Sequence, residues 1–162
     1  MRNYTIIASL LLISIMITFS SCRKEDKGPQ DYLTEGEWKV TDVELNPGIT
    51  VSGITITHVF DFMGDECSKD NLFKFNEDGT ITEDEGATKC DPSDPQTTTE
   101  GTWTLSEDGS SISAVFWGLD TGSADIIILN ETTFEFSTTA LPDFVAGLGI
   151  ENQKVKVTMT KQ

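Results

Sequence analysis

Histidine, cysteine and basic residues are scarce in this chain. The 162 residues include one histidine, His58, three cysteines, and 11 lysines and arginines against 27 acidic residues, for a formal net charge of -16. With one histidine and no Gly-x-Ser-x-Gly segment, we expect no enzymatic activity, no metal site and no cofactor. His58 is interpreted as a surface or core-edge residue. The acidic surface repels nucleic acid and anionic lipid head groups, which makes both poor partners.

Long apolar runs are also missing, with one exception at the N-terminus. A basic residue precedes the apolar run 6–19, and "SSC" then ends at Cys22. The run is shorter than the roughly 20 residues of a membrane helix and is typical of a secretion signal. Small residues before a cysteine resemble a bacterial lipobox, which implies that Cys22 is acylated after removal of a signal peptide, residues 1–21. The alternative is cleavage by an ordinary signal peptidase, which leaves Cys22 as a free thiol.

Residues 22–34 have the composition of a flexible tether. The segment, CRKEDKGPQDYLT, is charged and then contains glycine and proline, so it has little apolar surface to bury. The order Lys24, Glu25, Asp26 resembles the export signal of Bacteroidota-type surface lipoproteins. We therefore expect a protein anchored by its lipid in the outer membrane and exposed at the cell surface, with the periplasmic face as the alternative.

Residues 35–162 have the pattern of one all-β domain. Apolar and polar residues alternate in short runs, which Asp-Gly, Asn or Gly turn signals separate. About eight antiparallel strands joined by tight turns predict an up-and-down barrel with one short helix, because closure removes exposed sheet edges.

The first predicted strand changes parity half-way along. Trp38 and Val40 share one face, whereas Val43 and Leu45 would face the other side of a regular strand. A bulge near residues 41–42 is therefore needed to bring both pairs into the core.

Five other segments have a distinct pattern. Residues 76–80, "NEDGT", and 106–110, "SEDGS", are predicted hairpin turns. Residues 126–129 are apolar on both faces, which predicts a strand covered on each side or placed at a closing seam. Residues 57–66 favour a short amphipathic helix, and 141–150 a helical turn or lid; each either covers a barrel mouth or plugs the core.

Two Gly-x-Trp segments, residues 36–38 and 101–103, open predicted strands. Glycine permits a tight chain entry, and the tryptophan after it turns inward, where its ring seals the narrow end of a small barrel. The first segment resembles the lipocalin signature, in which an arginine near the end of the last strand packs over the tryptophan ring. This chain has Lys161 and Gln162 at that place.

Roughly residues 36–117 resemble a family of small lipocalin-like lipoprotein domains. The resemblance lies in "CSKDNLFKFNEDGT" and "CDPSDPQTTTEGTWTL". The residues that carry it are Cys67, Asp70, Asn71, Phe73, Phe75, Asp78, Gly79, Cys90, Gly101 and Trp103. It implies an eight-stranded barrel, and it supplies no catalytic residues to carry over.

Cys67 and Cys90 are expected to form a disulfide bond. Export takes the chain to an oxidising compartment, and acylation of Cys22 leaves one intramolecular pairing. The hairpin at residues 76–79 returns both cysteines to the same end of the sheet, so the bond would tie the predicted helix to the loop at 91–100. The alternative is two reduced, separately buried cysteines.

Two interpretations of the barrel remain open. It binds a small apolar ligand, or it is packed solid and serves as a structural or interaction protein. Under the first interpretation the inward side chains line a pocket, and under the second they are core. These residues are Trp38, Phe75, Trp103, Phe116, Phe134, Phe136, Val157 and Met159.

Trp117 is expected to point the other way. Its parity is opposite to that of Phe116, which places the ring outward beside Gly118 as a surface for a protein partner or a sugar. The alternative is packing under the predicted helix or under residues 141–150.

Overall fold

A computed structural model describes residues 27–62, 65–140 and 153–162. The predicted signal peptide, Cys22 and the segment 141–150 lie outside the described residues. The strands are β1 (Trp38–Val51), β2 (Ile54–His58), β3 (Leu72–Phe75), β4 (Thr80–Asp84), β5 (Thr97–Leu105), β6 (Ser111–Phe116), β7 (Leu119–Asp120), β8 (Ala124–Leu129), β9 (Thr133–Thr138) and β10 (Lys154–Lys161). The helices are α1 (Pro29–Thr34) and two 3-10 helices, Phe60–Phe62 and Glu66–Lys69. No helix in these ranges is long and apolar enough to cross a membrane.

Eight of the strands form a closed antiparallel ring. Its order is β1, β3, β4, β5, β6, β8, β9 and β10, and β10 pairs with β1 to close it. The β1–β10 pairing extends from Trp38 opposite Lys161 to Asn46 opposite Lys154, whereas β1 meets β3 only at Trp38 opposite Phe73. β2 forms a hairpin with the second half of β1, and β7 pairs with β6. The predicted all-β class with one short helix is confirmed, although the uneven pairing makes the ring an irregular one.

The predicted bulge in β1 is confirmed. The pairing register against β10 shifts between Val40 and Asp42. Trp38, Val40, Val43 and Leu45 are consequently all buried, with at most 4% of their surface exposed. Because side chains alternate along a strand, one extra residue is what allows both pairs to face the core.

Both predicted Asp-Gly turns are present, between β3 and β4 and between β5 and β6. Gly79 and Gly109 have φ angles of 83° and 68°, a left-handed conformation that glycine adopts without steric cost. The Asp78 carboxylate accepts two hydrogen bonds from Thr80, which lower its pKa. Hydrogen bonds from neighbouring serines lower the pKa of Asp108 to about 2. The acidic residues of these loops therefore stabilise turns.

The ring has two ends, which differ in what covers them. The α1 end carries α1 and the turns after β3, β5 and β8, with Trp38 and Lys161 as its first ring pair. The β7 end carries the β1–β2 hairpin, both 3-10 helices, the loop between β4 and β5, and β7. At the α1 end the turn after β5 lies against α1, since a Cβ added at Gly109 would lie 2.5 Å from Pro29 Cγ.

Residues 29–34 correct the prediction of a flexible tether that reaches residue 34. They form α1, where the Gly28 backbone N–H donates a 2.8 Å hydrogen bond to Asp31 Oδ2. Leu33 is fully buried. One well-placed leucine thus anchors a segment whose composition is otherwise that of a linker.

Residues 57–66 also differ from their prediction as one amphipathic helix. β2 continues to His58, and the backbone N–H of Val59 still donates to Val43 O at 2.9 Å. Among the described residues of this segment and those just after it, helical structure occurs as the two short 3-10 helices. Val59 is 4% exposed and Phe62 is 76% exposed, so the apolar residues do not share one buried face.

Strand β8 corrects the prediction of cover on both faces at residues 126–129. Ile127 and Ile128 are 52% and 38% exposed. β8 pairs with β6 only at Ala124 and Asp125, and its register against β9 shifts between Ile126 and Ile128. The strand therefore lies at a short join in the ring, and the bulge lets two consecutive isoleucines reach solvent.

Candidate functional site

Trp38 closes the α1 end of the ring, as its Gly-x-Trp position predicts. The side chain is fully buried, and its Nε1 donates a 2.9 Å hydrogen bond to Leu33 O in α1. The indole ring meets Phe134 edge-on at 5.9 Å between centroids. A satisfied N–H and an edge-on aromatic contact are the usual conditions for burying a tryptophan.

Lys161 occupies the place over Trp38 where lipocalins have an arginine. Its Nζ lies 5.0 Å from the centroid of the Trp38 ring, and it donates a 3.1 Å hydrogen bond to Tyr32 O. Partial burial lowers the pKa of Lys161. The cation over the ring is therefore present, supplied by a lysine through a cation–π contact.

The second Gly-x-Trp segment has a different role, because its glycine allows β5 and β6 to approach each other closely. A Cβ added at Gly101 would lie 1.6 Å from Val115 O, so no other residue fits there without displacing β6. Trp103 is 6% exposed and donates a 3.0 Å hydrogen bond from Nε1 to Asn76 O. The glycine thus sets the strand spacing, and the tryptophan fastens β5 to the turn after β3.

The structure brings the eight predicted pocket residues together in one buried cluster. None is more than 6% exposed. Phe75 is the centre of the aromatic contacts, with ring centroids 6.0 Å from Trp103, 5.7 Å from Phe116 and 5.9 Å from Phe134. Val157 and Met159 are fully buried beside the rings. These side chains pack against one another, and their use as a pocket lining stays a prediction.

The predicted disulfide bond between Cys67 and Cys90 is present in the structure. The two Cα atoms lie 5.2 Å apart. The bond ties the second 3-10 helix to the loop between β4 and β5 at the β7 end. Asp70 reinforces this tie, because its Oδ2 accepts 3.0 Å hydrogen bonds from the backbone N–H groups of Ala87 and Thr88.

His58 lies at the surface and pairs with one carboxylate. Its Nδ1 is 2.8 Å from Asp42 Oδ2, and 63% of its side chain is exposed. Among the residues that the structure describes, no group of three His, Cys, Asp or Glu side chains is placed to hold a metal ion.

A cleft of about 500 Å³ lies at the β7 end. Its lining residues are Glu100, Val115, Phe116, Trp117, Gly118, Leu119, Asp120 and Ala140. Trp117 has a φ angle of 53°, and its ring centroid is 6.4 Å from that of Phe60 in the first 3-10 helix. This corrects the expectation of a fully outward ring, because Trp117 is partly buried against that helix.

Glu100 reaches the cleft from a β-bulge. The β4–β5 register shifts between Ile81 and Thr82, which leaves Glu100 without a residue opposite it. Thr98 Oγ1 donates a 2.8 Å hydrogen bond to Glu100 Oε1. Because bulges redirect side chains, the glutamate reaches a cleft that lies mainly against β6 and β7.

Glu83 is a partly buried carboxylate close to Glu100. Its Oε1 accepts a 2.5 Å hydrogen bond from Nδ2 of Asn71, a residue only 6% exposed. Burial raises the pKa of Glu83, and the nearby Glu100 and Glu85 carboxylates raise it further, whereas the Asn71 hydrogen bond opposes the shift. Acidic residues are therefore crowded around Glu100, and this crowding disfavours the ionised form of Glu83.

The comparison with known families agrees with this geometry. A family model described as a lipocalin-like domain matches residues 34–136, more than half of the chain. The chain belongs to the lipocalin-like domain family. No curated protein matches the sequence. In this lipocalin-like domain the match begins in α1, covers the Gly-x-Trp segment and ends at Phe136 in β9.

The sequence patterns predicted the core residues of the lipocalin-like domain more completely than the residues that line its cleft. Of the lining residues they named Phe116, as a core or pocket residue, and Trp117. Glu100, Leu119 and Asp120 were missed, because a bulge and a two-residue strand bring them together. The Trp-Gly step at residues 117–118 is the one local signal that indicates a turn at this place.

Proposed function

We propose that this chain is a surface lipoprotein, anchored in the outer membrane through Cys22, whose lipocalin-like domain binds a small apolar ligand without catalysing a reaction. The observation that carries ligand binding is the contrast between the two ends of the ring. Trp38 and Lys161 cover the core at the α1 end, where a cavity of about 270 Å³ lies between α1 and the turn after β5. The β7 end has a larger cleft, of about 500 Å³, beside Trp117. Ligand sites are concave and lined mainly by apolar and aromatic side chains.

The anchor would also orient the domain. Gly28, just before α1, lies six positions after Cys22, and six extended residues span at most about 22 Å. The α1 end would therefore lie near the membrane, and the cleft at the β7 end would face away from it. A ligand in the surroundings of the cell would reach the cleft without passing the membrane surface.

Acylation is tested by replacing Cys22 with alanine. We expect the native protein to incorporate labelled palmitate and to sediment with the outer membrane, and the Cys22→Ala protein to do neither. Cys67→Ala is the matched control, which loses a cysteine but keeps the label. Unchanged membrane association and labelling of Cys22→Ala would refute the anchor.

Surface exposure needs its own test. Protease added to intact cells should remove the domain, as it removes an established surface protein, and should spare a periplasmic marker. Survival of the domain until the outer membrane is opened would assign it to the periplasmic face.

Ligand binding is tested with N-phenylnaphthylamine, a neutral apolar fluorophore. We expect saturable binding to the native protein and about a fivefold loss of affinity in Trp117→Ala, since an aromatic contact is worth about 1 kcal/mol. Phe62→Ala removes an aromatic residue that is 76% exposed and does not line the cleft, so it should bind normally. Equal loss in both variants would contradict a site at Trp117.

A solid-packed structural or interaction protein is the second candidate. The packing of Phe75 against three other rings favours it, since those side chains occupy the ring interior themselves. Under this alternative N-phenylnaphthylamine shows no saturable binding to the folded protein.

A further inference from the structure

The cleft at the β7 end combines an apolar lining with negative charge. Two carboxylates, Glu100 and Asp120, line it, and no lysine or arginine is among the described residues that do so. We propose that the ligand is an amphipathic organic cation, with an apolar body that lies along Val115 and Trp117 and a protonated amine that lies between the two carboxylates. This inference rests on the proposed function, and it adds the charge of the ligand.

Strand order places the two carboxylates on the two strands that flank one apolar residue. Val115 in β6 pairs with Thr102 of β5 on one side and with Asp120 of β7 on the other. Neighbouring strands lie about 4.8 Å apart, so the backbones of β5 and β7 lie about 10 Å apart on either side of Val115. Glu100 lies two residues before Thr102 on β5, so the two carboxylates reach the cleft from different strands. Val115 is 45% exposed and offers the apolar contact between them.

Trp117 adds an aromatic ring to the same cleft. Its left-handed backbone, with a φ angle of 53°, turns the chain from β6 into β7, and its ring packs near Phe60. The faces of indole rings attract cations, and nearby carboxylates strengthen the preference for positive charge. A neutral ligand would displace water from the Glu100 and Asp120 carboxylates without supplying a positive charge in its place, which costs binding free energy.

Charges beyond the lining act in the same direction. Glu83, outside the lining, lies close enough to Glu100 to interact with it electrostatically. The whole chain has a formal charge of -16. A negative field of this extent draws cations toward the cleft and repels anions of the same shape.

The test compares three probes with one apolar body: phenylbutylamine, phenylbutanol and phenylbutanoate. They are titrated into the full-length protein in one detergent buffer, followed by calorimetry. We expect the amine to bind about tenfold more tightly than the alcohol, and the acid more weakly than both, because two carboxylates and one aromatic ring act on the charge. Added salt should weaken binding of the amine and leave the alcohol unchanged.

Charge-removing variants locate the effect. Glu100→Gln and Asp120→Asn should each weaken amine binding several-fold and leave alcohol binding unchanged. Glu107→Gln is the matched control, because it removes one exposed carboxylate in the turn at the α1 end and should change neither. Equal affinity for amine and alcohol, or no binding of the amine by a protein that binds N-phenylnaphthylamine, would overturn the cation inference alone. Failure to bind N-phenylnaphthylamine as well would reject the proposed function with it.

Discussion

Trp38 and Trp117 differ in burial, and we expect them to contribute differently to stability. Trp38 is fully buried with its N–H satisfied by Leu33 O, whereas Trp117 is partly exposed in a left-handed turn. Trp38→Ala should lower the free energy of unfolding by about 3 to 5 kcal/mol, as other large-to-small core changes do. Trp117→Ala should cost less than Trp38→Ala, because the Trp117 ring is only partly buried. Denaturant titration of both variants checks this, and a small loss in Trp38→Ala would show that its ring is peripheral.

Glu83 should make the folded protein less stable as the pH rises, which is the opposite of the effect of most carboxylates. Its folded-state pKa lies above the usual 4.5, chiefly through burial. Below pH 4.5 the Glu83 carboxyl is protonated in both the folded and the unfolded chain, so it does not change the free energy of unfolding. As the pH rises from 4.5 through the folded-state pKa, the unfolded chain ionises more readily, and the free energy of unfolding falls. Glu83→Gln keeps an oxygen for Asn71 and removes the charge, so it should raise the melting temperature at neutral pH and match the native protein in acid.

The control for that experiment is a carboxylate with neither burial nor a crowded neighbourhood. Glu107→Gln, in an exposed turn, should leave the melting temperature unchanged at both acidic and neutral pH. A Glu83→Gln protein that is less stable than the native one at neutral pH would contradict the inference that ionised Glu83 destabilises the folded protein.

At the scale of elements, the regular strands could be predicted and the short irregular elements could not. The period of two along β1, β9 and β10 identifies their buried faces, and parity alone required the bulge near Asp42. α1 was missed because its one buried residue, Leu33, lies in a charged and Pro-containing segment. The exposure of Ile127 was missed because it follows from a bulge against β9, between Ile126 and Ile128, that alternation does not predict.

Helix α1 should prove to be part of the folded domain. Leu33→Ala is expected to cost about 2 to 5 kcal/mol, since it removes a fully buried side chain that packs in the core. Gln30→Ala, on the exposed side of the same helix, should change the free energy of unfolding by less than about 0.5 kcal/mol. Equal and small effects would mean that the segment is a tether after all.

The disulfide bond should contribute through the loop that it closes. Cys67 and Cys90 are separated by 23 residues, and a loop of that length corresponds to about 3 kcal/mol of chain entropy. The double variant Cys67→Ala, Cys90→Ala should be less stable by about that amount. Mass measurement after alkylation of unreduced, denatured protein should find neither thiol modified; two alkylated thiols would refute the bond.

At the scale of the whole molecule, the two ends of the ring differ. Trp38 and Lys161 cover the core at the α1 end, whereas the larger cleft lies at the β7 end. The fold class could be predicted because alternation, turn signals and the Gly-x-Trp segment all indicate a closed antiparallel sheet. The cleft could not, since Glu100 and Asp120 come from different strands and meet only through a bulge and a two-residue strand. Sequence periodicity identifies which side chains face inward, but it does not reveal which outward ones the register brings together.

The most direct test of a ligand site at the β7 end is a residue-resolved titration. Amide chemical shifts are followed by NMR while N-phenylnaphthylamine, and then phenylbutylamine, is added to the isotope-labelled protein. The account predicts saturable shifts at residues 115–120 and at Glu100, with residues 33–38 at the α1 end unchanged. Saturable shifts confined to the α1 end, or none that saturate anywhere, would contradict it.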